Sequence, residues 1–325
     1  MPIHIILCTD EYYVMPCGIT IFSICYHNRH HQIMFHVLTE GVDENKKDEL
    51  RRIIKDAGQE IRFYDVDSSL IGNVPVDNRF RISIYYRLLM AKILPKDIDK
   101  ILYLDSDIIV RGDIEELWNK DISDVELAAV LDQSCDDIRI YNRTGLSPLS
   151  GYYNSGVLLI NLRYWREHNT GERCIAYVNK NSKSVQYPDQ DALNFITHKA
   201  WKVLPFRYNT QAFMYYRRNE ILARTEYVNE MIEASMNPLV MHFTEARKPW
   251  MTGCTHPFKE EYLKYKKLSP WAEVPLTVKI STGKTDQILA SIKNLCIKMG
   301  VAKSTPVYSY YRDFSQAVIS PYRCP

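Results

Sequence analysis

Asp105 and Asp107 stand one residue apart at the end of the apolar run Ile101-Leu102-Tyr103-Leu104, and Ile108-Ile109-Val110 follows them. Two carboxylates this close repel when both are ionised, and a cation between them removes the penalty. A hard divalent ion with oxygen ligands, Mn²⁺ or Mg²⁺, suits such a pair and usually reaches the phosphates of a substrate. A nucleoside diphosphate compound is therefore the expected ligand. Taken alone, Asp-x-Asp is also a common turn or cap sequence, because Asp bonds nearby backbone N–H groups.

The apolar run has the length and content of a strand buried on both faces, as in parallel sheets packed under helices. Ligands of open α/β sheets bind at the carboxyl ends of strands, which is where the two acids fall. Upstream, strand-like and helix-like runs alternate: Ile3–Cys8, a helix from about Met15, Met34–Leu38, Asp43–Ala57, Ile61–Val66, and a helix over Ser83–Leu94. That alternation predicts βαβ units with right-handed crossovers. Asp43 is placed to cap its helix, and Gly58 sits where that helix should stop. Leu127–Leu131, Val157–Ile160 and Leu239–His242 are further strand candidates. With no Gly-x-Gly-x-x-Gly or Walker sequence, a diphosphate must be held by metal and cations.

Five separated segments accompany the acidic pair: the N-terminal strand through Asp10, Arg81 to Leu89, Tyr152-Tyr-Asn154-Ser-Gly156 through Leu162, Tyr187-Pro-Asp189-Gln190-Asp191 through Asn194, and His242 through Lys248-Pro-Trp250. In order and spacing they resemble the family 8 glycosyltransferases, a group containing bacterial lipopolysaccharide galactosyl- and glucosyltransferases and, more distantly, glycogenin. The resemblance spans roughly residues 3–265. It implies an α/β GT-A nucleotide-diphospho-sugar fold, a Rossmann-like mixed sheet flanked by helices, over residues 1–268. Residues 269–325 would form a small basic helical appendage. It also implies Mn²⁺, with Mg²⁺ as the alternative, a UDP-hexose donor, a saccharide or glycolipid acceptor, and transfer with retention.

The same resemblance assigns residues. His242 matches the third metal ligand beside Asp105 and Asp107, although a histidine ending an apolar run is often a core residue. Lys248 would meet the diphosphate; its ordinary alternative is a solvated surface lysine. Glu245 departs from the pattern, in which a glycine often lets the backbone approach phosphate. Asp10 would accept from the uracil N3–H, with Thr9 and Tyr12 beside it, or else cap a helix. Ser106 joins the nucleotide contacts. Arg87, with Arg81 as rival, would contact the donor sugar and orient nearby acids. Asp132 and Asn154 resemble readers of sugar hydroxyls, although Asn154-Ser155-Gly156 also reads as a turn. Asp189 and Gln190 would lie beside the anomeric carbon, while Pro188-Asp189 is equally a sound helix start. Gln190 is a weak nucleophile, which favours departure and attack on one face of the sugar.

The formal net charge of +2 leaves nucleic acid and membrane both open, but provides no global polycationic surface. No nucleic-acid partner is expected. Eight cysteines without Cys-x-x-Cys spacing read as thiols of a reducing compartment, with no zinc site. No signal peptide or membrane-spanning segment is evident, so a cytoplasmic location is expected. From Lys279 to Pro325 the local charge is +5. Ile288, Leu289, Ile292, Leu295, Cys296 and Met299 recur there at helical spacing among lysines. A basic helix over 284–303 could lie on an anionic membrane surface or pack on the catalytic domain. A haloacid-dehalogenase-type phosphohydrolase, with Asp105 as nucleophile, and an idle sugar-nucleotide binder are the functional alternatives.

Overall fold

The computed structural model describes residues 2–76, 81–216 and 226–278. Ten strands are described: β1 Ile3–Cys8, β2 Ile33–Thr39, β3 Glu60–Asp65, β4 Lys100–Leu104, β5 Ile108–Val110, β6 Leu127–Leu131, β7 Tyr153–Asn161, β8 Trp201–Val203, β9 Thr210–Gln211 and β10 Val240–His242. Seven form one sheet in the order β3-β2-β1-β4-β7-β6-β8, and β5-β10-β9 form a second. β3, β2, β1 and β4 are mutually parallel, as the alternation predicts. β7 runs antiparallel to both β4 and β6, which makes the sheet mixed. β4 and β7 are fully covered apart from Lys100, consistent with a central position between two apolar layers.

The helix Val14–His27 follows β1, and Glu44–Asp56 follows β2. Asp43 caps the latter by accepting from the Asn45 N–H at 2.8 Å, and Gly58 adopts φ +68° just beyond its end. Leu50, Ile53 and Ile54 are buried on its inner face.

Two local expectations are corrected. The segment expected as a helix over Ser83–Leu94 winds as a 3₁₀ helix over Ile82–Leu89 and becomes α-helical only at Met90–Ile93. Isoleucines and tyrosines are mediocre α-formers, and long 3₁₀ runs are uncommon outside strained or functional segments. Here the Arg87 Nε–H donates to the Ile84 carbonyl at 3.0 Å and the guanidinium turns inward. The turn reading of Asn154-Ser155-Gly156 also fails. All three residues lie within β7, which is longer than the expected Val157–Ile160 core.

Residues 269–278, the first part of the expected appendage, pack against the main body. Trp271 lies on Gly18 and donates its indole N–H to Glu49 at 2.8 Å, while Thr277 exchanges backbone hydrogen bonds with Trp250 and Thr252. The basic helix expected over 284–303 lies outside the described residues. Among the described residues, no helix is long and apolar enough to cross a membrane. Cys8, Cys17, Cys25, Cys174 and Cys254 are free thiols, and burial pushes Cys17 and Cys25 up to about 12.

Candidate active site

Sheet register assembles the site from distant parts of the chain. Asp105 follows β4, and its N–H donates to the Gly156 carbonyl of β7 at 2.9 Å. Asp107 precedes β5, whose antiparallel pairing with β10 sets His242 opposite Ile108. The Phe243 N–H then donates to the Asp107 carbonyl at 3.0 Å. One ligand atom from each of Asp105, Asp107 and His242 lies within 4.8 Å of the others.

Each member of this triad has one polar atom committed outward and another turned toward its companions. Asp105 Oδ1 accepts from Arg87 Nη2 at 2.7 Å and from the Tyr103 hydroxyl at 2.6 Å, while Oδ2 lies 3.7 Å from His242 Nε2. Asp107 Oδ2 accepts from Lys248 Nζ at 2.7 Å, and Oδ1 lies 3.2 Å from His242 Nε2. His242 Nδ1 is 3.0 Å from Asn209 Oδ1. The inward atoms are two carboxylate oxygens and one imidazole nitrogen, a donor set that fits a divalent ion with positions left open for substrate. Gly156 makes room for it: a Cβ there would fall 2.2 Å from His242 Cε1 and 2.7 Å from Asp105 Oδ2.

The charges around the triad sit in a water-poor setting. Burial works to raise the Asp107 carboxyl, but Lys248 and His242 hold it well below the usual carboxylate range. Burial opposes the charge on Lys248, and Asp107 outweighs it, so the ammonium is stabilised. Arg87 behaves likewise: burial is overcome by Asp105, Tyr103 and Asp189. At Asp189 the balance is opposite, and burial raises the carboxyl although Arg87 Nη1 lies 3.4 Å away.

A second cluster faces the triad. Asn154 Nδ2 donates to Asp132 Oδ2 at 3.0 Å, and Gln190 Nε2 reaches the same oxygen at 3.3 Å. Gln190 Oε1 accepts from the Ser155 N–H at 3.0 Å. Asp189 and Gln190 begin the helix Pro188–Thr197, so the helix-start reading and the site reading are both satisfied. Asp191 locks that start by accepting from the Gln186 and Tyr187 N–H groups and the Tyr152 hydroxyl, and by pairing with Arg143. Asn194 ties the helix to both backbone groups of Tyr153 in β7.

A cleft of about 360 Å³ brings together the triad, Arg87, Ser106, Asp132, Asn154, Asp189, Gln190 and Lys248. Arg81 lines it too and pairs with Asp10 at 3.9 Å, whereas Arg87 is the arginine that pairs with Asp105 and Asp189. Thr9, Asp10 and Tyr12 lie beside the cleft, outside its lining. Asp10 Oδ1 caps the following turn by accepting from the Tyr12 and Tyr13 N–H groups, and Oδ2 accepts from Ser83 at 3.0 Å. Thr9 is buried, and Tyr12 is exposed under the Arg81 guanidinium, 4.0 Å away. The Ser106 hydroxyl donates to the Cys8 carbonyl. A further cluster joins the exposed His30 and Asp113 to the half-buried His31. Its carboxylate is already shared by both imidazoles and the Glu115 N–H.

Sequence reasoning overlooked Tyr103, Ser155, Gly156, Asp191 and Asn209. Four of these lie inside segments singled out above, but nothing in Tyr208-Asn209-Thr210 signals a role before the strands are paired.

Comparison with known proteins agrees with this geometry. The model of the Glycosyl transferase family 8 matches residues 4–254. A lipopolysaccharide 1,2-glucosyltransferase of Escherichia coli is 30% identical over 270 residues, 82% of this chain and 78% of that protein. General stress protein A of Bacillus subtilis is 28% identical over 275 residues, covering 82% and 94%. Among solved structures, the galactosyltransferase LgtC, crystallised with donor and acceptor sugar analogs, superposes with a TM-score of 0.76 at 27% identity, covering 82% of this chain and 96% of that one. The mixed sheet with its helical flanks is thus the GT-A fold. The phosphohydrolase alternative is not supported: the family match is to transferases, and Asp105 is held by Arg87 and Tyr103. The chain belongs to glycosyltransferase family 8.

Proposed function

We propose that this enzyme moves galactose or glucose from a UDP-sugar to a saccharide or glycolipid acceptor in the synthesis of lipopolysaccharide or another surface glycan, using Mn²⁺ and retaining anomeric configuration. The observation that carries the reading is the inward-facing set Asp105 Oδ2, Asp107 Oδ1 and His242 Nε2. An imidazole among the ligands favours Mn²⁺ over Mg²⁺. When bound, the ion withdraws negative charge from the diphosphate and so eases its departure. Relatives named for glucosyl and galactosyl transfer support either hexose.

The remaining roles belong to side chains. Lys248, stabilised as an ammonium, adds a point charge for the diphosphate. Asp10, with Thr9 and Tyr12, is assigned to the uracil; Ser106 and Arg87 complete the donor contacts. Asp132 and Asn154 read sugar hydroxyls, and Asp189 stabilises positive charge on the ring. Gln190 has an amide oxygen already accepting from Ser155 and is a poor nucleophile, which supports same-face transfer. In that route the departing UDP oxygen takes the proton of the attacking acceptor hydroxyl. The segment 284–303 is assigned to the anionic inner face of the cytoplasmic membrane. Deleting residues 279–325 should abolish binding to anionic vesicles and spare soluble turnover, and unchanged vesicle binding would sink that assignment.

UDP release measured over a panel of UDP-sugars, with Mn²⁺ or chelator and with Asp107→Ala alongside, tests the main reading. Metal-dependent release from one sugar, lost in the variant, is the expected result. Binding of a UDP-sugar with no turnover, even when acceptors are supplied, would identify an idle binder instead. Failure to bind any UDP-sugar would overturn the proposal.

A further inference from the structure

Asn209 lies fully buried between the metal triad and the cluster around Asp132. Its Oδ1 is 3.0 Å from His242 Nδ1, and its Nδ2 donates to Asn154 Oδ1 at 2.8 Å. An amide has one oxygen and one NH₂. Since its NH₂ faces the Asn154 oxygen, its own oxygen must face the imidazole, and His242 Nδ1 must carry the hydrogen. In the neutral imidazole, the form that binds a metal, that leaves Nε2, the atom facing Asp105 and Asp107, with the lone pair. The line continues: Asn154 Nδ2 donates to Asp132 Oδ2, the oxygen that Gln190 Nε2 also reaches. A single donor direction therefore runs from the imidazole through Asn209 and Asn154 to a carboxylate.

Backbone pairing holds Asn209 in place. β9 runs parallel to β10 with His242 opposite Gln211, and the Asn209 N–H donates to the Phe206 carbonyl at 3.1 Å. Asn154 Oδ1 also accepts from the Gly156 N–H at 3.0 Å, so the residue that makes room for the triad also anchors this line.

We infer that Asn209 is a positioning residue with two separable jobs: its oxygen fixes the His242 tautomer for metal binding, and its NH₂ orients Asn154, and through it Asp132 and Gln190, toward the donor sugar. This rests on the metal reading of Asp105, Asp107 and His242. The two jobs respond differently to substitution. Asn209→Asp keeps an acceptor for His242 Nδ1–H but has no donor for Asn154, so it should preserve metal binding and disturb the sugar side. Asn209→Leu removes both.

The test is Mn²⁺ affinity of the apo protein by calorimetry or by electron paramagnetic resonance of free ion, with no donor present, followed by kcat and KM for UDP-sugar hydrolysis or transfer. Asn209→Leu should bind Mn²⁺ about 10–100-fold more weakly, the range found when outer partners of metal-binding histidines are lost. Asn209→Asp should bind it within about threefold of wild type, a difference near 0.7 kcal/mol, yet show a lowered kcat at saturating Mn²⁺. Circular dichroism establishes that each variant is folded, and His242→Ala marks full loss of a ligand. Equal weakening in both variants, or unchanged Mn²⁺ affinity in Asn209→Leu, would overturn the inference. Wild-type protein that binds no Mn²⁺ would overturn the metal reading itself, a separate outcome.

Discussion

Replacing Gly156 by alanine adds one methyl group and should disable the metal site. Gly156 lies in β7, outside the left-handed region, so alanine costs nothing in backbone conformation there. The cost is steric. The new Cβ would sit 2.2 Å from His242 Cε1, 2.8 Å from His242 Nδ1 and 2.7 Å from Asp105 Oδ2. Carbon atoms pack at about 3.5–4.0 Å, so the imidazole must retreat by more than about 1 Å. The His242–Asn209 contact is 3.0 Å, and it ceases to be a hydrogen bond beyond about 3.5 Å. β10 cannot slide to compensate, being hydrogen-bonded to β5 on one side and β9 on the other. Overpacking of this kind costs about 1–3 kcal/mol, and a displacement near 1 Å in a reacting constellation costs about 100-fold in rate. Gly156→Ala should therefore melt several degrees lower, bind Mn²⁺ at least about tenfold more weakly, and release UDP about 100-fold more slowly. The assays are a thermal melt, Mn²⁺ titration and UDP release at saturating Mn²⁺. A folded variant whose Mn²⁺ affinity and turnover both stay within about threefold of wild type would refute the steric argument.

Three other outcomes are expected. Arg87→Ala should cost about 3–5 kcal/mol in urea unfolding, because it leaves the buried Asp189 and the half-buried Asp105 without their cation; Arg87→Lys should recover only part, since one ammonium cannot serve both acids and the Ser155 carbonyl. A loss below about 1 kcal/mol for the alanine variant would contradict that account. Gly171→Ala would place its Cβ 1.9 Å from the Leu88 carbonyl oxygen, next to Arg87, and should lower both stability and turnover; an unchanged melting temperature would show that the helix Thr170–Lys180 can move aside. Acid should destabilise the fold through His36 and His256, whose imidazoles are held down to about 3, chiefly by burial. The unfolded chain takes up these protons below about pH 6.5, whereas the fold refuses them until about 3, so stability should fall as pH drops through that window. Urea unfolding at several pH values checks this, and a slope unchanged in His36→Gln would remove His36 as a cause.

Local chemistry made much of this protein legible. The parallel βαβ arrangement of the first four strands follows from strand-like runs alternating with helix-like ones, because both periods are written in neighbouring residues, whereas the order β3-β2-β1-β4 is set by the tertiary pairing. Asp105-x-Asp107 at a strand end, the Asp43 cap and the start of the Asp189-Gln190 helix are likewise short-range facts. Other features needed the tertiary structure. The Ile82–Leu89 segment carries a helical apolar pattern, yet inward bonding by Arg87 accompanies a tighter winding than propensity suggests. Asn154-Ser155-Gly156 has turn composition, but it lies within β7, beside the register irregularity of β6 between Ala129 and Leu131, and its Gly156 carbonyl accepts from the Asp105 N–H. The partnership of His242 with Asp107 depends on the register of β10 against β5, and Asn209 has meaning only once β9 lies beside β10. Composition and periodicity describe which surfaces a residue prefers. Which two distant residues meet is decided by strand pairing, where a slip of one residue turns every side chain to the opposite face.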